Sequence, residues 1–170
     1  MKGYFQMVRQ AKSTTFILLV LISLGAVNCK SDNPEALQMA KERFSVREFT
    51  TYDRNTTNAR GRQGSRRHKV FLVKENMSKT DLLSMARLLH KAYPDSSFDF
   101  FDDESQVSKY AEWDAQNGGS GNLFRGSPLK DYIYKHRVAE VTVQSEDNRN
   151  NKWFLVYDDR SKREELNPSY

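Results

Sequence analysis

Five carboxylates, Asp95, Asp99, Asp102, Asp103 and Glu104, fall within ten residues that hold no Lys or Arg. Carboxylate oxygens are the ligands that hard cations such as calcium and magnesium take. If the segments around them form adjacent parallel strands, Asp102 and Asp103 end one strand and Glu75 ends its neighbour. Ligands of open sheets gather at the carboxyl ends of such strands, so Glu75, Asp102 and Asp103 are the candidate ligand or metal set. No calcium-loop spacing accompanies them, so no metal is assigned. The plainer alternative has Asp103 capping a helix, a position Asp favours, with the others solvated.

The three histidines, His68, His90 and His136, are far apart and match no metalloprotease spacing. A serine nucleophile needs a base and an orienting acid. Ser120 sits among glycines but outside the nucleophile-elbow pattern, so no catalytic residue is assigned and any triad would have to be assembled by the fold. Arg60, Arg62, Arg66, Arg67 and His68 make one stretch strongly basic, a candidate surface for an anionic polymer, headgroup or acidic partner. It lacks the interleaved aromatics of a single-strand nucleic-acid surface, and such blocks are commonly just solvated. A glycine-rich stretch at residues 117–127 carries Phe124 and Arg125, with Trp113 before it. It lacks the Lys-Ser/Thr of a phosphate loop. It reads either as a partner-binding tip anchored by Phe124 or as a connection tucked onto the core.

These residues must be positioned by the segments between them. Asn33-Pro34-Glu35 is a helix start, with cap, N1 proline and an acid in the first turn. The short helix it opens is either packed on the domain or a tether. Residues 43–53 and 68–75 alternate or run apolar and read as strands, with 54–67 as a loop containing no apolar residue except Ala59. Residues 77–93 form the clearest helix: Ser78 and Asp81 resemble a capping box, and Leu82, Met85, Ala86, Leu89 and Tyr93 share one face. Residues 96–101 are a strand, and the strand–helix–strand succession predicts a parallel crossover. A second helix is expected over 103–116, a long strand over 130–144, and a final antiparallel strand over 152–157. Residues 158–170 read as frayed. The expected fold is α+β, a two-layer sandwich of a mixed sheet of about five strands with two helices on one face.

The first thirty residues have a separate logic. Lys2, Arg9 and Lys12 precede twelve apolar or small residues at 16–27, followed by Cys29, the only cysteine. The run is short for a membrane span, which needs about 20 residues, and has the layout of a secretory signal. The segment Ala26-Val27-Asn28-Cys29 resembles the lipid-attachment box of bacterial lipoproteins in its relaxed form. Asn28 stands where a small residue is usual. The resemblance covers residues 1–29 and implies cleavage before Cys29, lipidation of Cys29 and anchoring to the cell or outer membrane. The alternative is ordinary cleavage and free secretion.

The whole chain has a formal net charge of +5, but the leader holds three of its 27 basic residues. Without them 24 basic residues face 22 acidic ones, a net of +2. That balance gives no reason to expect a nucleic-acid partner. Ten Phe and eight Tyr point to a packed core rather than disorder. The expectation is therefore an envelope protein, lipid-anchored to the membrane, acting as a binding or interaction module toward an envelope protein or anionic polymer, with no cofactor. The competing readings are an envelope hydrolase using carboxylates or a histidine, and an adaptor working through the basic loop.

Overall fold

The computed structural model describes residues 32–57, 63–118, 127–147, 150–157 and 163–166. Cys29, Arg60, Arg62, Phe124 and Arg125 lie outside them.

Helix α1 (Pro34–Phe44) begins as its sequence dictates. The Asn33 side chain accepts a hydrogen bond from the Ala36 backbone N–H at 3.1 Å, and Pro34 fills the first turn. Lys41 and Arg43 occupy the last turn, and Ser45 ends the helix in the left-handed region. Ala36, Ala40 and Phe44 are buried, and Asn33 N–H donates to the Ala92 carbonyl at 2.9 Å. Of the two alternatives, α1 is therefore a helix packed on the domain.

Strands β1 (Arg47–Thr57) and β2 (Gln63–Leu72) form an antiparallel hairpin. Helix α2 (Lys79–Ala92) follows, with the expected cap: Ser78 Oγ accepts from Asp81 N–H at 3.1 Å and donates to the Asp81 carboxylate at 2.8 Å. Strand β3 (Ser97–Phe101) then pairs parallel with β2, as the crossover pattern predicts. Helices α3 (Val107–Asn117) and α4 (Lys130–His136) precede β4 (Arg137–Asp147), which is antiparallel to β3 and to β5 (Asn150–Tyr157). Strand β6 (Arg163–Glu165) adds antiparallel to β5. The sheet order is β1-β2-β3-β4-β5-β6.

The α+β class and mixed sheet agree with the sequence expectation. The counts and layering do not: the described residues hold six strands and four helices, divided between both faces. Phe100 and Phe101 are consecutive on β3 and so point to opposite faces. Phe98 and Phe100 join α1, α2 and residues of β4 and β5 in one core. Phe101 joins Val70, Val107, Tyr110, Tyr132 and Ile133 in a second core beneath α3 and α4. Each fully buried Phe contributes roughly 1.5–3 kcal/mol, so both cores are substantial. Three local expectations also change. Residues 130–136 are helix rather than strand. Residues 54–57 and 63–67, read as loop, extend the hairpin. Asp103 does not cap α3: its Oδ1 accepts from Ser105 N–H at 2.9 Å, and α3 has no side-chain cap.

Candidate functional site

Two polar constellations stand out, one sealed and one open. The sealed one lies between the sheet and α3. Arg54 comes from β1, His68 from β2, Ser97 and Asp99 from β3, Glu140 from β4, and Tyr110 and Asp114 from α3. The Arg54 side chain is 5% exposed, and those of Asp99 and Asp114 are 0% exposed. Arg54 Nε donates to Asp114 Oδ2 at 2.5 Å and Nη2 to Asp99 Oδ2 at 3.0 Å. Nη1 reaches Glu140 Oε1 at 3.4 Å. Tyr52 donates to Asp114 Oδ2 at 2.6 Å, and the Tyr110 hydroxyl donates to Asp99 Oδ2.

Burial works to raise the pKa of Asp99, but His68, Arg54 and Arg137 outweigh it and hold the carboxyl well below the usual range. Burial also opposes the charge on Arg54. Tyr110, Asp99, Asp114 and Glu140 reverse that effect and raise its pKa. The Tyr52 and Tyr110 phenols are pushed up, first by burial and then by neighbouring carboxylates. His68 Nε2 lies 2.8 Å from Asp99 Oδ2 and 3.0 Å from Arg54 Nη2, and its Nδ1 lies 2.7 Å from Ser97 Oγ.

Ser97, His68 and Asp99 thus form a hydrogen-bonded chain with the members of a hydrolytic triad. All three are buried, and neither cleft described below is lined by any of them. The network fixes β1, β2, β3 and α3 against one another.

The open constellation is a cleft of about 540 Å³ at the carboxyl end of β3. It is lined by Met77, Leu82, Val138 and Tyr157 on its apolar side, and by Lys79, Lys135, Arg137 and Asp102 among charged residues. Lys79 opens α2, and its ammonium lies 4.9 Å from the Tyr157 ring centre. Lys135 is in the last turn of α4 and forms no ion pair among the described residues. Asp102 Oδ1 lies 3.0 Å from His136 Nδ1, and Asp102 N–H donates to the His136 carbonyl at 3.1 Å. The Tyr132 hydroxyl donates to the Asp103 carbonyl at 2.5 Å, tying α4 to the turn after β3. Arg137 lines the cleft while its Nη1 sits 3.5 Å from both Asp99 Oδ1 and Glu140 Oε2, so it borders both constellations. A separate groove of about 490 Å³ runs between β1 and α3, beside Phe49, Tyr52, Ala111 and Ala115.

Of the residues singled out by sequence, Asp102 lines the cleft, Asp103 lies beside it in the turn, and Glu75 is exposed in the turn before Asn76. Among the described residues no group of three His, Cys, Asp or Glu could hold a metal ion. Arg67 is exposed; Arg66 is half-buried, its guanidinium 5.4 Å from the Trp153 ring centre. His68 is in the sealed network, away from the surface. His90 is buried with its ring 4.9 Å from that of Trp153. Trp113 packs against the second core. Sequence reasoning counts Arg54 with the basic loop rather than in this network, reads Tyr110 only as part of a helix's apolar face, and misses Asp114 and the three cations of the cleft. Only Asp114 carried a signal, lying four residues after Tyr110 on one helical face. Comparison with protein-family models, with curated proteins and with solved structures finds no match to this chain.

Proposed function

We propose that the chain is a small-ligand binding module of the bacterial envelope, anchored through lipid on Cys29, with the cleft at the carboxyl end of β3 as its ligand site. One observation carries the site. The cleft opens where the parallel pair β2–β3 ends, the position at which open sheets bind ligands, and it combines an apolar wall with a few polar groups. The anchor rests on the leader and its lipoprotein-like box. The test is isothermal titration of the full-length protein against a panel of small amphiphilic compounds, with the wild type compared with Val138→Trp, which fills the cleft. Binding by the wild type that Val138→Trp abolishes supports the reading. Equal binding by both places the ligand elsewhere.

A hydrolytic reading has one observation in its favour. Asp102 and His136 form a carboxylate–imidazole pair, side chains 20% and 23% exposed, beside the cleft. An acid on Nδ1 fixes the tautomer that leaves Nε2 able to accept a proton. Ester hydrolysis lost in both His136→Gln and Asp102→Asn would establish it.

A further inference from the structure

The chain enters the domain at one end, and the cleft lies at the other. Asn33 N–H donates to the carbonyl of Ala92, the last residue of α2, at 2.9 Å. Ser96 N–H donates to the Tyr93 carbonyl at 3.2 Å, which sets the start of β3 beside the same helix end. The cleft gathers at the opposite ends of both elements. Met77, Lys79 and Leu82 bring the start of α2 to it, and Asp102 follows the last residue of β3. Helix α2 has 14 residues. At about 1.5 Å per residue it holds these two ends about 20 Å apart.

The hairpins share this polarity. Strand β2 pairs parallel with β3 from His68 opposite Ser97, so residues 63–67 run beyond the start of β3. Gln63, Gly64, Ser65 and Arg67 are exposed there. Strand β4 likewise continues past its pairing of Val141 with Phe98, away from Arg137 at the cleft.

Asn33 lies four positions after Cys29. A fully extended chain spans at most about 3.6 Å per residue, so Asn33 stands no more than about 14 Å from Cys29. Acyl chains on Cys29 hold its backbone at the boundary between lipid and water. Turning the cleft onto the lipid would lift Asn33 about 20 Å from the bilayer, and the tether does not reach that far.

Resting on the Cys29 anchor, we infer that the end built from the start of α1, the end of α2 and the start of β3 is a membrane-apposed surface. The cleft opens toward water, and whatever it binds arrives from the aqueous phase rather than from the bilayer.

Helix α2 offers its own ruler. Thr80 and Lys91 are both exposed and stand eleven residues apart. That interval is close to three full turns, so the two side chains share one face and differ by about 16 Å along the axis. Thr80→Cys and Lys91→Cys, made in a bacterium with Cys29 intact, are labelled with a thiol-reactive coumarin donor. Lipidation consumes the Cys29 thiol, so only the new cysteine takes the label. Each protein is diluted from detergent onto phosphatidylcholine vesicles carrying an acceptor dye on a lipid headgroup. The expected result is flotation of both proteins with the vesicles and clearly stronger energy transfer from position 91 than from position 80. Flotation with equal transfer from the two positions, or stronger transfer from position 80, overturns the membrane-apposed surface and leaves the anchor standing. Failure to float overturns the anchor and the surface with it. Neither outcome depends on what the cleft binds, so the titration against Val138→Trp tests the cleft separately.

Discussion

Arg54 and Asp99 face each other across β2, Nη2 to Oδ2 at 3.0 Å, with neither side chain open to water. A residue of the edge strand thereby reaches a carboxylate on the third strand, passing over His68 between them. Asp99 Oδ1 and Asp114 Oδ1 are buried without a hydrogen bond among the described residues. The cluster therefore has no slack: each charge is balanced only while the others stay in place.

Removing Arg54 leaves Asp99 and Asp114 buried beside no guanidinium from β1. Breaking a buried pair from one side costs roughly 3–5 kcal/mol. Arg54→Ala should lower the urea midpoint of the full-length protein by that much. Arg54→Lys should rescue little, since an ammonium cannot reproduce donors pointing at Asp114, Glu140 and Asp99 together. Arg67→Ala, at an exposed position, should change stability by no more than about 0.5 kcal/mol.

Stability should fall at both ends of the pH scale. Asp99 is held below its ordinary value of about 3.9. Its contribution is present above that pH and is lost as pH falls toward the lowered folded value. Glu48 acts in the same direction: burial raises its pKa, but hydrogen bonds from Lys69, Thr51 and Tyr93 together with the Lys69 charge bring it below the ordinary value. At the alkaline end Tyr132 is pushed up to about 12 by burial and then by Asp103. The folded state keeps that proton after the unfolded chain has lost it, so stability declines as pH rises above about 10. Melting temperature measured against pH should show both limbs, and Tyr132→Phe should make the alkaline limb shallower.

Gly118 ends α3 with φ +57°, and a Cβ there would stand 2.3 Å from the Asn55 carbonyl oxygen of β1. Gly118→Ala combines a left-handed conformation with a backbone clash and should cost about 1–3 kcal/mol. Gly64→Ala is the control. Its Cβ would meet Thr56 Oγ1 at 3.4 Å, an ordinary contact, and a compatible Gly→Ala change is neutral or stabilising by up to about 1 kcal/mol. Denaturant midpoints of the two variants should move in different senses or by clearly different amounts.

Expressed in a bacterium, the wild type should incorporate radiolabelled palmitate and fractionate with membranes, whereas Cys29→Ser should do neither. Two acyl chains give stable anchoring at about 0.8 kcal/mol per buried methylene. Equal labelling of both proteins would sink the anchor.

Much of this fold could be read in advance where one local signal was strong. Asn33-Pro34, the Ser78–Asp81 cap and the crossover from β2 to β3 each rest on a pattern with a direct geometric meaning. The rest was hidden for identifiable reasons. Arg54 sits in a stretch with no apolar neighbour, and binary patterning marks such a stretch as loop. Only the cross-strand pairing of Arg54 with Arg66 and Asp53 with Arg67 shows that the hairpin continues there. Helix α4 is seven residues with Tyr132 and Ile133 buried side by side, which is too short for a 3.6-residue period to separate it from the strand that follows. Strand β6, Arg-Glu-Glu, has no strand preference of its own and is set by pairing with β5. The second helical layer was invisible because β3 buries all five residues, so alternation could not show that both faces are covered. The cleft cations come from α2, α4 and β4, far apart in sequence, and only the acid among them stood in a recognisable cluster.

The register shift between Glu48 and Thr50 has a consequence for the molecule in a crowded compartment. Strand β1 is eleven residues long and lies at the end of the sheet order. A flat strand of that length would offer unpaired backbone to any passing chain. The irregularity at Phe49 breaks its hydrogen-bonding row near one end, and Arg47, Glu48 and Asp53 spread charge along it. Wherever copies of the chain meet at high local concentration, an interrupted, charged margin keeps such encounters from growing into a shared sheet.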